Sequence, residues 1–168
     1  RGPLFFGEPE PWVGLLVQAN QLIAKGEDDK AVDLRGRAFD SAPAVPGTID
    51  GRAFDWLADA DTRLGPVLEA IIDGRYYWVP MANIGLIKIE EPRDLRDVVW
   101  TPAAFVWRNQ GQASGFIPTR YPGSEASDDN QIRLARKTEW IERSGGTMLG
   151  LGQRMFATES QDCPLMDI

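Results

Sequence analysis

Apolar residues recur at helical spacing near the start of the chain. From Trp12 onward they return every three or four positions, which is the repeat of one face of an α-helix. Pro9 and Pro11 suit the beginning of such a helix, and Gly26 suits its end. The residues of the predicted apolar stripe are Trp12, Leu15, Leu16, Ala19, Leu22 and Ile23.

A second helix is predicted directly after the first. Its sequence, EDDKAVDLRGRAFDSAP, has acids in the first turn, where they favour the helix dipole, and Pro43 ends it. The spacing of Gly26, Ala31, Ala38 and Pro43 resembles the second half of a tetratricopeptide repeat, although Arg35 stands where that repeat has a large aromatic residue. One repeat cannot bury its own apolar face, so we expect this hairpin to pack on something else.

From about residue 50 the hydrophobic period changes to one typical of strands. The run VLEAIIDGRYYWVP predicts a β-hairpin that turns at Asp73 and Gly74. Further hairpins are predicted across 109–112 and at 144–146.

The order of these elements predicts the fold class. Helices come first and strands later, without βαβ alternation, which favours α+β over α/β. We therefore expect a tetratricopeptide-like helical hairpin in residues 1–45. We expect a mainly antiparallel, curved or barrel-like β domain in residues 46–168.

Composition narrows the classes of partner. The chain has 168 residues and a formal net charge of -7, which disfavours nucleic acid and anionic membranes as main partners. No apolar run approaches the roughly 20 residues of a membrane helix, so we expect no membrane insertion. A single cysteine, Cys163, fits a reducing compartment. The start, RGPLFFGEPEPW, has neither an initiator Met nor a signal peptide, and we expect a fragment of a longer protein.

The residues offer little for catalysis. Histidine is absent, which excludes Ser-His-Asp and Cys-His mechanisms and histidine-containing zinc sites. The cluster Asp55, Asp59 and Asp61 lacks the glycine and distant glutamate of a calcium loop, so turn and capping roles are favoured. Ser124 lies in no G-x-S-x-G elbow, and GLGQRM at Gly150 is only G-x-G. We predict no catalytic residue, no metal and no cofactor.

The densest polar passage runs from Thr119 to Trp140, TRYPGSEASDDNQIRLARKTEW. It mixes a Pro-Gly turn, acids and bases, and two interpretations stay open. The favoured one is a loop whose polar groups satisfy one another. The other is direct contact with a partner.

Several long phrases resemble the ImpE/TagJ family, accessory proteins of the bacterial type VI secretion system. The match extends over nearly all of the chain. The phrases are APAVPGTIDGRAFDWLADADTRLGPVLEAIIDGRYYWVP, DLRDVVWTPA, IPTRYPGSEASDD, RLARKTEW and GLGQRMFATES.

The resemblance implies a tetratricopeptide-like region, here lacking its first part, followed by a β-rich domain. It implies a cytoplasmic role beside the contractile sheath, with binding of the N-terminal helix of the small sheath subunit TssB and assistance to the ClpV ATPase. No catalytic residue carries over. We expect the partner site to combine the apolar stripe defined above with Arg120, Tyr121, Lys137 and Trp140.

Two other functions compete with this non-enzymatic binding module. A hydrolase or carbohydrate-active domain would use paired carboxylates in a deep pocket. A passive spacer would have neither a pocket nor an apolar groove.

Overall fold

The computed structural model describes residues 3–168. Within them lie three α-helices: α1 (Pro11–Ala24), α2 (Asp28–Ser41) and α3 (Asn130–Arg133). The strands are β1 (Leu4–Phe5), β2 (Gly47–Ile49), β3 (Arg52–Phe54), β4 (Ala58–Asp59), β5 (Val67–Ile72), β6 (Arg75–Pro80), β7 (Ile84–Ile89), β8 (Trp100–Trp107), β9 (Gln112–Pro118), β10 (Thr138–Arg143), β11 (Thr147–Gly152), β12 (Met155–Ala157) and β13 (Asp162–Pro164). Short 3₁₀ helices occupy Met81–Asn83, Ser124–Ala126, Ser144–Gly146 and Leu165–Asp167.

The two long helices form a hairpin that packs on the sheet. The face of α1 that carries Trp12 and Leu16 shares one buried cluster with Ala38 of α2 and with Val67 and Trp78 of β5 and β6. The predicted helical hairpin therefore has a partner within the chain, as its apolar face requires.

Polar contacts attach α2 to the β10–β11 hairpin as well. Arg35 is buried and donates to the hydroxyl of Thr147 at 2.6 Å and to the carbonyl oxygen of Gly145 at 2.8 Å. Arg143 forms an ion pair with Asp28 at 2.6 Å. Arg35, which departs from the tetratricopeptide pattern, thus joins the helix to the β region.

The predicted fold class is wrong. In residues 3–168 the strands form four separate sheets, and the largest is an open six-stranded sheet in the order β1-β6-β5-β9-β8-β7, not a barrel. It is also mixed, because β1 pairs with β6 in parallel. The remaining sheets are β10-β11, β13-β12-β4 and β2-β3.

The sheet is open because its edge strands, β1 and β7, each pair with one neighbour among the described strands and not with each other. The β5–β6 hairpin meets β9 over only two residue pairs, Ile71 with Phe116 and Ile72 with Gly115. The β10–β11 hairpin pairs only with itself among the described strands, so it does not continue the large sheet. The tetratricopeptide-like part of the prediction is corrected too, because the hairpin stacks on a sheet and not on a second described repeat. The boundary predicted between residues 45 and 46 stays a prediction.

The three predicted β-hairpins are confirmed as β5–β6, β8–β9 and β10–β11. Their turn residues explain why the local sequence was sufficient. Asp73 and Gly74 both have positive φ, 51° and 72°, as a type I′ hairpin turn requires. No helix within residues 3–168 combines the length and the apolar character needed to cross a membrane.

Candidate functional site

Most residues of the predicted apolar stripe on α1 are buried in the hydrophobic core. Trp12, Leu16, Ala19 and Ile23 are at most 5% exposed. Leu15 and Leu22 are half-buried and lie at the margin of the core. A partner that contacts α1 without opening the core therefore meets these two leucines, while the other four stabilise the hairpin against its own neighbours.

The four predicted residues of the β region lie near one another. Tyr121 is buried, and its ring centroid is 5.8 Å from that of Trp140, which is 37% exposed. Arg120 donates to the carbonyl oxygen of Arg133, and Lys137 pairs with Asp129 at 3.3 Å.

In residues 3–168 no hydrogen bond or ion pair links these four side chains to the α1 stripe. None of the four is among the residues of the two hydrophobic clusters that contain the α1 stripe, so these contacts do not join the two parts of the predicted site. That either part contacts a partner stays a prediction.

The polar passage between Thr119 and Trp140 satisfies many of its own groups. The Ser124 hydroxyl donates to the carbonyl oxygen of Tyr121 at 2.5 Å and accepts from the backbone N–H of Gly152 at 2.8 Å. Asp129 caps α3 by accepting from the backbone N–H of Gln131 at 2.7 Å. These contacts favour the interpretation of an internally satisfied loop.

Arg154 is the centre of a buried charged cluster. Its side chain is fully buried and forms ion pairs with the carboxylates of Asp59 and Glu69. Its Nε donates to the carbonyl oxygen of Pro118 at 2.8 Å, and its guanidinium lies 5.2 Å from the ring centroid of Tyr121. Burial alone would lower the pKa of Arg154, but the two carboxylates outweigh burial and raise it.

Asp59 connects this cluster to the polar passage. Its Oδ1 accepts from the hydroxyl of Tyr121 at 2.8 Å and from the backbone N–H of Asp61 at 2.9 Å. Burial raises the pKa of Asp59 to about 6, although Arg154 favours the ionised form. Burial and the Asp59 carboxylate together raise the pKa of Tyr121. The Tyr121 hydroxyl is therefore a neutral hydrogen-bond donor at physiological pH.

Asp61 extends the cluster to β11. It pairs with Arg63 at 2.5 Å and accepts from the backbone N–H of Gly150 at 2.8 Å. Gly150 also makes room for Tyr121, because a Cβ there would lie 2.3 Å from the tyrosine ring. The cluster thus locks β4, β5 and β11 to the polar passage with groups that are hydrogen-bonded on several sides.

The turn role predicted for the aspartates at 59 and 61 is confirmed, but their long-range partners were missed. A signal for those partners was present in the sequence. Glu69 stands inside the apolar run VLEAII, and Arg154 is followed by the apolar pair Met155 and Phe156. Charged residues in apolar surroundings are rarely buried unless they are paired, so each of these two residues implies an opposite charge elsewhere.

Two cavities in the described residues are relevant to binding. The larger, of about 740 Å³, is mainly apolar and lies between the β2–β3 hairpin and the edge strand β7. The smaller, of about 280 Å³, lies over β5, β6 and β8 beside the buried cluster. Of the two carboxylates on Arg154, Glu69 borders the smaller cavity and Asp59 borders neither cavity. The two acids therefore do not converge on one pocket of the hydrolase type.

A family model and a relative each match most of the chain. The model of the ImpE protein family matches residues 51–168. The chain is 48% identical over 166 residues to the type VI secretion system accessory component TagJ of Pseudomonas aeruginosa. The aligned region covers 99% of this chain and 58% of that protein. The chain thus spans less than two thirds of the length of this relative.

A solved structure has the same fold. The crystal structure of protein VPA1032 from Vibrio parahaemolyticus matches with a TM-score of 0.89 at 24% identity, covering 99% of this chain and 63% of that one. At this level of identity the likeness speaks for the fold alone.

Proposed function

The chain belongs to the ImpE protein family, and on that premise we propose that it is part of an accessory protein of a type VI secretion system. In this proposal it acts in the cytoplasm by binding and not by catalysis. Its partner is the N-terminal helix of the small sheath subunit TssB, and through that contact it assists the ClpV ATPase in handling the sheath. The name of the relative from Pseudomonas aeruginosa supports the accessory role.

One observation carries the helix-binding part of the proposal. Leu15 and Leu22 are half-buried on α1 and are seven residues apart, so they lie on one face, one above the other. Two leucines one heptad apart form the start of a seam for a second helix. An amphipathic helix laid along α1 would cover them with its own i, i+3, i+4 and i+7 residues.

The remaining predicted residues take two different roles in this proposal. Four residues of the stripe hold α1 in position by packing in the core and do not contact the partner helix themselves. They are Trp12, Leu16, Ala19 and Ile23. Arg120, Tyr121, Lys137 and Trp140 form a second candidate contact, in which Trp140 and Lys137 are the exposed members. The net charge of -7 favours a partner helix with basic flanks.

Calorimetry with a synthetic peptide of the TssB N-terminal helix tests the proposal. We expect Leu15→Ser and Leu22→Ser each to weaken peptide binding about tenfold, because an anchor in a helix seam contributes on the order of 1–2 kcal/mol. Gln18→Ala, at an exposed position of α1, is the matched control and is expected to bind like the parent. Trp12→Ala is not used to test binding, because replacing a buried tryptophan by alanine typically destabilises a protein by about 3–5 kcal/mol. A loss of binding in that variant could then result from unfolding.

The outcomes separate the two candidate contacts. If both leucine variants bind like the parent while Trp140→Ser loses binding, the helix binds at the β region and the seam assignment is wrong. If the parent chain does not bind the peptide at all, the proposed partner is wrong for this part of the protein.

A further inference from the structure

The smaller cavity is lined in part by aromatic and acidic side chains. It opens over neighbouring strands of the large sheet and is closed on one side by the segment from Arg120 to Pro122. We call it the aromatic–acidic cavity. The residues that line it are Glu69, Ile71, Tyr76, Val99, Trp100, Pro118, Arg120, Tyr121, Pro122 and Glu125.

Two aromatic side chains are exposed at this cavity. Tyr76 is 38% exposed and Trp100 is 39% exposed, so neither ring is used up in the core. The Tyr76 hydroxyl is held in place, because it donates to Glu69 and accepts from Trp78 Nε1 at 2.7 Å. A half-exposed aromatic ring presents a face to which a cation is attracted.

The charges around the cavity favour a positive ligand. Glu69 and Glu125 line it, and Arg120 is the one cation in its lining. The Arg120 guanidinium is already engaged by the carbonyl oxygen of Arg133. Behind the wall, the cluster of Asp59, Asp61 and Glu69 with Arg63 and Arg154 has one more carboxylate than guanidinium.

Glu69 has remaining capacity to accept a hydrogen bond. One of its oxygens accepts from Tyr76 and the other from Arg154. Each carboxylate oxygen has two lone pairs, so a further donor can approach from the cavity side. Because Arg154 fixes the carboxylate, this acceptor is in position before a ligand arrives.

We propose that the aromatic–acidic cavity binds a single basic side chain, arginine or lysine, of a protein partner. Its volume of about 280 Å³ is below the range of roughly 300–1,000 Å³ for pockets that hold drug-sized ligands. The site therefore suits one side chain and not a helix. The cation contacts the faces of Trp100 and Tyr76, with Glu125 and Glu69 as its counter-charges. This inference does not depend on which partner the chain has.

Titration of the chain with N-acetyl-arginine amide, followed by NMR of the tryptophan indole N–H groups, tests the proposal. The neutral isostere N-acetyl-citrulline amide is the control ligand. We expect saturable shifts of the Trp100 indole signal with the arginine probe, with a dissociation constant on the order of 1 mM, and no saturation with citrulline. N-acetyl-lysine amide is expected to saturate the same signal.

Variants assign the binding to the cavity. Binding of the arginine probe to each variant is measured by one-dimensional NMR of the probe. We expect Trp100→Leu to weaken this binding about fivefold and Glu125→Gln to weaken it about threefold. Both positions are exposed, so the fold is expected to persist. Asp40→Asn removes the same charge from an exposed position on α2 that lines neither cavity, and it is expected to change nothing.

Three results would overturn the proposal. The first is equal binding of the arginine and citrulline probes, which would show that the cavity does not recognise the positive charge of the ligand. The second is unchanged binding by Glu125→Gln and Trp100→Leu. The third is an equal loss in Asp40→Asn, which would mean that the probe responds only to the overall charge of the protein.

Discussion

Arg154→Met is the most informative single change in the buried cluster. Methionine occupies a similar length of side chain but removes the charge and all the donors. The carboxylates of Asp59 and Glu69 then lose their ion-pair partner, and the Pro118 carbonyl oxygen loses a donor. At neutral pH the fold retains two buried acids with no guanidinium between them.

The size of the effect follows from this burial. Removing one partner of a buried ion pair typically destabilises a protein by about 3–5 kcal/mol, because the other charge remains unpaired. Here two carboxylates depend on one guanidinium that is fully buried, so we expect the upper part of this range. Since a domain of this size shifts its Tm by about 2–4 °C per kcal/mol, a loss of about 4–5 kcal/mol corresponds to an expected decrease of about 8–20 °C.

Urea denaturation followed by tryptophan fluorescence measures the free energy of unfolding. The matched control is Arg136→Met, because Arg136 is exposed and its side chain has no hydrogen bond or ion pair among the described residues. We expect that control to stay within about 0.5 kcal/mol of the parent.

A triple variant separates the lost charge pair from lost packing. In Asp59→Asn/Glu69→Gln/Arg154→Met no buried charge remains at the centre of the cluster. We expect it to recover at least about 2 kcal/mol relative to Arg154→Met, since neutral replacement of a whole buried ionic set is often tolerated. Two results would show that unpaired buried charge is not the cause of the destabilisation. One is an Arg154→Met variant within about 1 kcal/mol of the parent, and the other is a triple variant that recovers no stability.

Three further predictions follow from other contacts. The folded-state pKa of Asp59 is raised to about 6, so the parent is expected to lose about 1 kcal/mol of stability relative to Asp59→Asn as pH increases from about 5 to about 7, measured by urea melts. A parent that gains stability relative to Asp59→Asn over this range would show that ion pairing outweighs burial. Arg35→Met is expected to destabilise by about 2 kcal/mol and Arg37→Met by less than about 0.5 kcal/mol, because Arg35 is buried and Arg37 has only an exposed pair with Asp33; equal effects would contradict this. Deletion of residues 1–45 is expected to lower the Tm or cause aggregation, since it uncovers Trp78; an unchanged Tm would make the hairpin an independent appendage.

Local chemistry explains which parts of the fold were predictable. The α1–α2 hairpin and the three β-hairpins follow from periodicity, from Gly26 and Pro43, and from turn residues such as Asp73 and Gly74. Each of these elements is decided by residues that are near one another in the chain.

The sheet order was not predictable, because it depends on pairing between distant segments. The two residue pairs between β5 and β9 join segments that are distant in the chain, and nothing in the local pattern indicates them. The parallel pairing of β1 with β6 joins a two-residue strand to a distant partner, Leu4 with Tyr77 and Phe5 with Trp78. A strand this short has no alternation that could reveal it.

The arrangement of the candidate site was not predictable, and its role in partner binding stays a prediction. The stripe on α1 was identified, yet the pattern could not show which side of it the sheet would cover. The charged cluster joins Asp59 to Arg154 across 95 positions, so each half looks like an ordinary surface charge when only its neighbours are considered. The apolar neighbours of Glu69 and of Arg154 indicate that opposite charges exist elsewhere in the chain, but not which residues carry them.

Calorimetric titration of the chain with the intact small sheath subunit TssB, and with the same subunit lacking its N-terminal helix, tests the proposed function most directly. We expect saturable binding of the intact subunit and loss of that binding when the helix is removed. Equal binding of the two forms would contradict helix recognition, and absence of binding to the intact subunit would contradict the proposed partner itself.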